Sequence, residues 1–204
     1  LKTARKFYLN GKIPDLSYQL GVALHYIQDA CVGKGFLGIS HEDIENEVSS
    51  LRIPVNAVKA GLDNYQPHPF KLREALKALN NSSSSPNEIL WNAVYYSFLA
   101  ARSVLEPGNR DSVRKEAEKL NEKMKKSLLY ALQANLAMLY IAIFIPLKVF
   151  ALALFLFLVT PPLLYAILLY FKSQKEELKE WFGWFKDAVP DEPRVVRVVM
   201  KILE

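Results

Sequence analysis

The chain holds one cysteine, Cys31, in 204 residues. With no second thiol to pair with, an internal disulfide is excluded, and with it the small, loop-rich class of fold that depends on oxidative staples. Glycine is also sparse, at 8 residues. Nowhere do the glycines form the spaced sets that cradle phosphates, so neither a dinucleotide fingerprint nor a P-loop is present. No segment repeats. The amino-terminal half has no basic stripe interleaved with aromatics, which argues against a single-strand nucleic-acid surface.

Histidine is limited to 3 residues, and two of them occur in matched patterns. His25 is followed four residues later by Asp29, and His41 four residues later by Glu45. Residues at i and i+4 share a helical face, so each pair aims a nitrogen and an oxygen at a common space. That donor mixture suits a borderline cation such as zinc. Each pair also has a plainer reading as a satisfied core or solvated surface histidine.

The surroundings of His25 favour the metal reading. Tyr18, Val22, His25 and Asp29 step along one stripe of a largely apolar run, residues 16–30, and ionisable groups on an inward face are costly unless paired or metal-bound. His41 follows Ser40, which with Asp43 reads as a capping box opening a helix at position 41. Cys31 reads as a buried structural thiol, with a soft fifth ligand as the alternative. Lys34, between Gly33 and Gly35, reads as a loop lysine within reach of a phosphate or as a simple solubilising charge. Glu42 and Asp43 read as first-turn acids complementing the helix dipole, or as bases beside a metal. His68 lies between Pro67 and Pro69, which hold it extended.

The segment Leu20-Gly-Val-Ala-Leu-His-Tyr-Ile-Gln-Asp29, followed by His41-x-x-x-Glu45, resembles the zinc-dependent phospholipase C family, which shares its fold with a single-strand nuclease. The resemblance covers roughly the first fifty residues. It implies an all-helical domain in which His25, Asp29, His41 and Glu45 ligate zinc. The loop after the first pair has no further histidine, and none precedes His25, so one or two ions rather than three are expected. Leu1 reads as a helix interior, which leads us to expect either ligands supplied from upstream residues or a reduced site. The implied activity is hydrolysis of a phosphodiester, with phospholipid headgroups as the substrate class. The alternatives are a noncatalytic membrane protein whose metal staples helices or serves assembly, and a nuclease-like phosphodiesterase.

Long apolar runs are not scarce. Residues 128–145 carry no charge, and neither do residues 149–171; Pro146-Leu147-Lys148 lies between them. About 20 helical residues cross the hydrocarbon layer, so the direct reading is a transmembrane hairpin turning at Pro146, with Lys148 snorkelling to the far interface. Pro161-Pro162 should kink the second run. Gln133 and Asn135 within the first run allow helix–helix hydrogen bonds and so a homo-oligomer. Lysines at 119, 123, 125 and 126 before the runs, and at 172, 175 and 179 after them, place both flanks on the cytoplasmic side. Asn80-Asn81-Ser82 and Asn81-Ser82-Ser83 match the glycosylation acceptor pattern and would argue the reverse topology. The formal charge of +5 and pI near 9.1 favour anionic lipid surfaces, where each basic residue contributes about 1 kcal/mol.

The remainder reads as helix. Ser85-Pro86-Asn87-Glu88 caps a helix to about Leu105 that should pack beside the His25 helix, and a charged helix from Asp111 should run directly into the first apolar run. Leu178, Trp181, Phe182, Phe185, Ala188 and Val189 form a stripe suited to a membrane interface; residues 194–203 read as strand or helix. The expected fold class is all-α: a helical metal-binding domain (residues 1–106), a charged connecting helix (107–127), a transmembrane helical hairpin (128–171) and an amphipathic C-terminal tail (172–204).

Overall fold

The computed structural model describes residues 1–32, 41–80, 85–106, 108–144 and 147–204; the side chains of His41, Ile44, Glu45, Asn80, Leu156 and of residues 141–144 and 147–153 lie outside that description. The Lys34 loop, the Ser40 cap and the serines of the glycosylation pattern fall outside the described residues as well. Every described element is helical, so the all-α class holds. The chain divides into two compact units, Leu1–Gly108 and Asn109–Glu204.

In the first unit, α1 (Lys2–Leu9) turns into α2 (Ile13–Val32) through Gly11, whose φ of 67° is reached at little cost without a Cβ. Next come α3 (His41–Ser49), α4 (Val55–Asp63), α5 (Pro69–Lys77) and α6 (Pro86–Leu105). The expected cap is present, with the Ser85 Oγ accepting from the Glu88 N–H at 3.3 Å. α6 is the central element, packed by α1, α2, α3, α4 and α5. Its buried residues, among them Ile89, Ala93, Ser97, Ala100 and Val104, recur at helical spacing.

Polar side chains fasten the neighbours to α6. The buried Arg5 donates to the carbonyls of Val104 (2.6 Å) and Glu106 (2.7 Å). Arg102 donates to the Leu62 carbonyl at 2.8 Å and lies 4.4 Å from the Tyr65 ring. These bonds satisfy carbonyls at helix ends, which a helix cannot satisfy itself.

In the second unit, α7 (Arg110–Phe144) joins the charged segment to the first apolar run without a break, and α8 (Leu147–Trp181) packs along it. α8 continues through Pro161 and Pro162, where each lacks the N–H that would bond to the carbonyl four residues back. α9 (Arg194–Leu203) is a helix, and Val196 and Met200 join Met124, Leu164 and Leu168 in one buried cluster. Lys175 is fully buried; its Nζ donates to Asn121 Oδ1 at 3.0 Å and to the Pro190 carbonyl at 2.6 Å, with a Glu192 carboxylate oxygen 3.6 Å away. That junction ties α7, α8 and the strap before α9 together.

One expectation changes here. The stripe of Leu178, Trp181, Phe182, Ala188 and Val189 is buried inside the second unit rather than laid on a membrane interface. α8 ends at Trp181 and the 3-10 turn Gly183–Ala188 folds back onto α7 and α8, so the apolar periodicity serves the unit's own core. Among the described residues, no helix is long and apolar enough to cross a membrane. Both apolar runs of the hairpin pass through residues whose side chains are outside the description. The described part of the hairpin is nevertheless ringed by exposed large apolar side chains, including Leu132, Leu136 and Leu139 on α7 and Phe155, Leu158 and Leu163 on α8.

Candidate functional site

Helical spacing on α2 sets the geometry of the first pair. His25 Nε2 lies 3.5 Å from Asp29 Oδ2, one turn on, as the i, i+4 rule requires. The side chains are 70% and 36% exposed, so the pair faces outward. This reverses the expected orientation: Tyr18 and Val22 are exposed as well, whereas Leu16, Ile27 and Cys31 are buried. α2 carries two apolar stripes, and α6 covers the one without the histidine. The desolvation argument for a metal at His25 therefore lapses, and accessibility to solute replaces it.

His25 and Asp29 stand at the edge of a groove of about 400 Å³. α2 contributes Gln28 and Val32, α3 contributes Val48 and Ser49, and α6 contributes Ile89, Leu90, Ala93 and Val94, with Ile53 from the following loop. The floor is apolar and the rim polar. Gln28 Nε2 donates to Ser97 Oγ at 3.3 Å, pinning the carboxyl half of α2 to α6 just below the histidine. Among the described lining residues there is no Phe, Tyr or Trp.

The second pair can be placed only by register. α3 is described from His41 and packs against α2 and α6. Positions 41 and 45 precede Val48 and Ser49 by one to two helical turns and so share their face. The His41 and Glu45 side chains are outside the described residues, and the distance between the two pairs with them. Among the described residues, no group of three or more His, Cys, Asp and Glu side chains is arranged to hold a metal ion.

The other candidates resolve more simply. Cys31 is buried in the core, and desolvation pushes its thiol up to about 11. His68 is buried at the N-cap of α5 with extended backbone, φ −112° and ψ 138°, and does not line the groove. Gln28 and Ser49 escaped the sequence reading; the signal for them was their register beside the two histidine pairs.

A zinc fit can be tested on the pair that is described. Nitrogen and oxygen donors each about 2.1 Å from one ion at a tetrahedral angle lie about 3.4 Å apart. The observed 3.5 Å is close to that separation. Two ligands are half of such a site. Comparison with family models, curated proteins and solved structures finds no match to this chain.

Proposed function

We propose that this protein is a membrane-anchored, metal-dependent phosphodiester hydrolase acting on phospholipid headgroups. The observation that carries the reading is the accessible His25–Asp29 pair, with donors 3.5 Å apart at the mouth of a groove whose far wall is α3. His25, Asp29, His41 and Glu45 would hold one or two zinc ions. Zinc bound there supplies Lewis-acid charge to a phosphodiester and acidifies water toward neutrality.

The chain's own residues supply the rest. The apolar lining of Val32, Ile89, Leu90 and Val94 suits the apolar substituent of a lipid. For the anchor, the support is two charge-free runs and the exposed leucines and phenylalanines around the α7–α8 hairpin. Exposed apolar surface, where it is contiguous, marks a membrane or protein partner. Lysines on both flanks favour a cytoplasmic position for the first unit.

The test is hydrolysis of a soluble phosphodiester and of phosphatidylcholine vesicles by the purified full chain, with and without chelator. Activity should vanish with chelator, return with zinc, and fall in His25→Ala and Asp29→Asn by more than the roughly 10–100-fold that loss of a ligand's supporting residue costs. Hydrolysis indifferent to chelator and to both substitutions would overturn the assignment.

A further inference from the structure

We infer that the outer stripe of α7 is a self-association surface, covered in the membrane by the same stripe of a second copy of this chain. The inference rests on the reading of the hairpin as bilayer-embedded.

α7 shows two opposite faces. The inner one carries Met124, Leu128 and Ala131 in the cluster shared with α8 and α9, and Asn135, whose Nδ2 donates to its own helix at the Ala131 carbonyl, 2.9 Å. The outer one carries Tyr130, Gln133, Ala134, Ala137 and Tyr140, all exposed; the two tyrosines are 64% and 67% accessible. Leucines alone would need no protein partner, since lipid tails are as apolar as they are. Gln133 is different. It sits in a run without a single charge, residues 128–145, and presents its amide outward where hydrocarbon offers neither donor nor acceptor.

The chemistry of the stripe names its occupant. A carboxamide is both donor and acceptor, so two glutamines related by a two-fold axis satisfy each other, and an isologous contact needs no second kind of surface. Ala134 and Ala137 flank the amide with small side chains that permit close approach of two backbones. The spacing 130, 133, 137, 140 keeps the stripe on one seam over its full length.

Single-cysteine cross-linking tests this in the full chain reconstituted in vesicles, with increasing lipid dilution to remove chance encounters. Wild type is the blank, because its one cysteine is buried. Ala137→Cys should give disulfide-linked dimers with copper-phenanthroline, whereas Leu139→Cys, about 200° around the helix, should give at least tenfold less. Adding Gln133→Leu to Ala137→Cys should cut the dimer at least tenfold, and Gln133→Asn should retain it. Equal yields from positions 137 and 139, no dimer from either in carbonate-resistant protein, or a dimer indifferent to Gln133→Leu would each overturn the inference while sparing the membrane reading. Chain released by carbonate would overturn both.

Discussion

Lys175 and His25 show opposite relations between sequence and environment. Nothing in the sequence separates Lys175 from Lys172 or Lys179, yet Lys175 is fully buried while Lys172 is exposed. What distinguishes it is long-range: Asn121, Pro190 and Glu192 meet only once the chain has folded. Desolvation pulls its ammonium below the usual 10.5, outweighing the attraction of Glu192. Below that lowered value the fold bears the cost of a buried charge. Between it and 10.5 the unfolded chain holds a proton that the folded chain has released, so raising the pH favours folding; above 10.5 the effect is flat. Thermal midpoints measured as the pH is raised toward 10.5 should therefore contain a rising component that Lys175→Met lacks. At neutral pH the same variant should lose about 1–2 kcal/mol, because the part-buried Asn121 Oδ1 and Pro190 carbonyl lose their donor. An identical pH profile in both proteins would refute this role. For His25 the pairing with Asp29 was legible from spacing alone. Its direction was not, because α2 has two apolar stripes and only packing against α6 decides between them.

At the scale of elements, local rules performed best where chain chemistry is decisive. Ser85 caps α6, and the charged segment from Arg110 continues into the apolar run as one helix. Helix-to-helix distance was invisible until α4 met α6. A Cβ on Gly61 would collide with the Tyr95 carbonyl and press on Phe98, so α4 sits against α6 at backbone distance because that residue is glycine. A Cβ on Gly21 in α2 would meet nothing within 4 Å. The two glycines should respond with opposite signs. Gly61→Ala should destabilise by about 1–3 kcal/mol through overpacking, and Gly21→Ala should stabilise by up to about 1 kcal/mol through helix propensity. Chemical denaturation of both variants decides it, and a shift of the same sign in both would show that the close approach of α4 and α6 carries no weight. The end of α8 was misjudged for a related reason: the periodicity of Leu178, Trp181 and Phe182 fits a membrane interface and a protein core equally, and the fold-back at Gly183 settles it.

At the scale of the whole molecule, two units carry two kinds of signal. Capping signals and helical spacing pointed to the all-α class, and two charge-free runs around Pro146 to an apolar hairpin; the exposed apolar ring around α7 and α8 adds an observation that only coordinates supply. The first unit brings α2, α3 and α6 around one groove and sets the His25–Asp29 pair at its mouth. The functional account joins the units by chemistry: a lipid hydrolase gains from an anchor, because lateral encounter replaces search through solution. Its central claim is that two helical faces, one on α2 and one on α3, share a cation. Equilibrium zinc binding to the purified full chain, compared with His25→Ala and His41→Ala made separately, tests that claim directly. The account predicts that wild type retains zinc through dialysis and that each substitution alone abolishes retention, because half of a four-donor site does not hold the ion. Zinc content unchanged in both variants would contradict it.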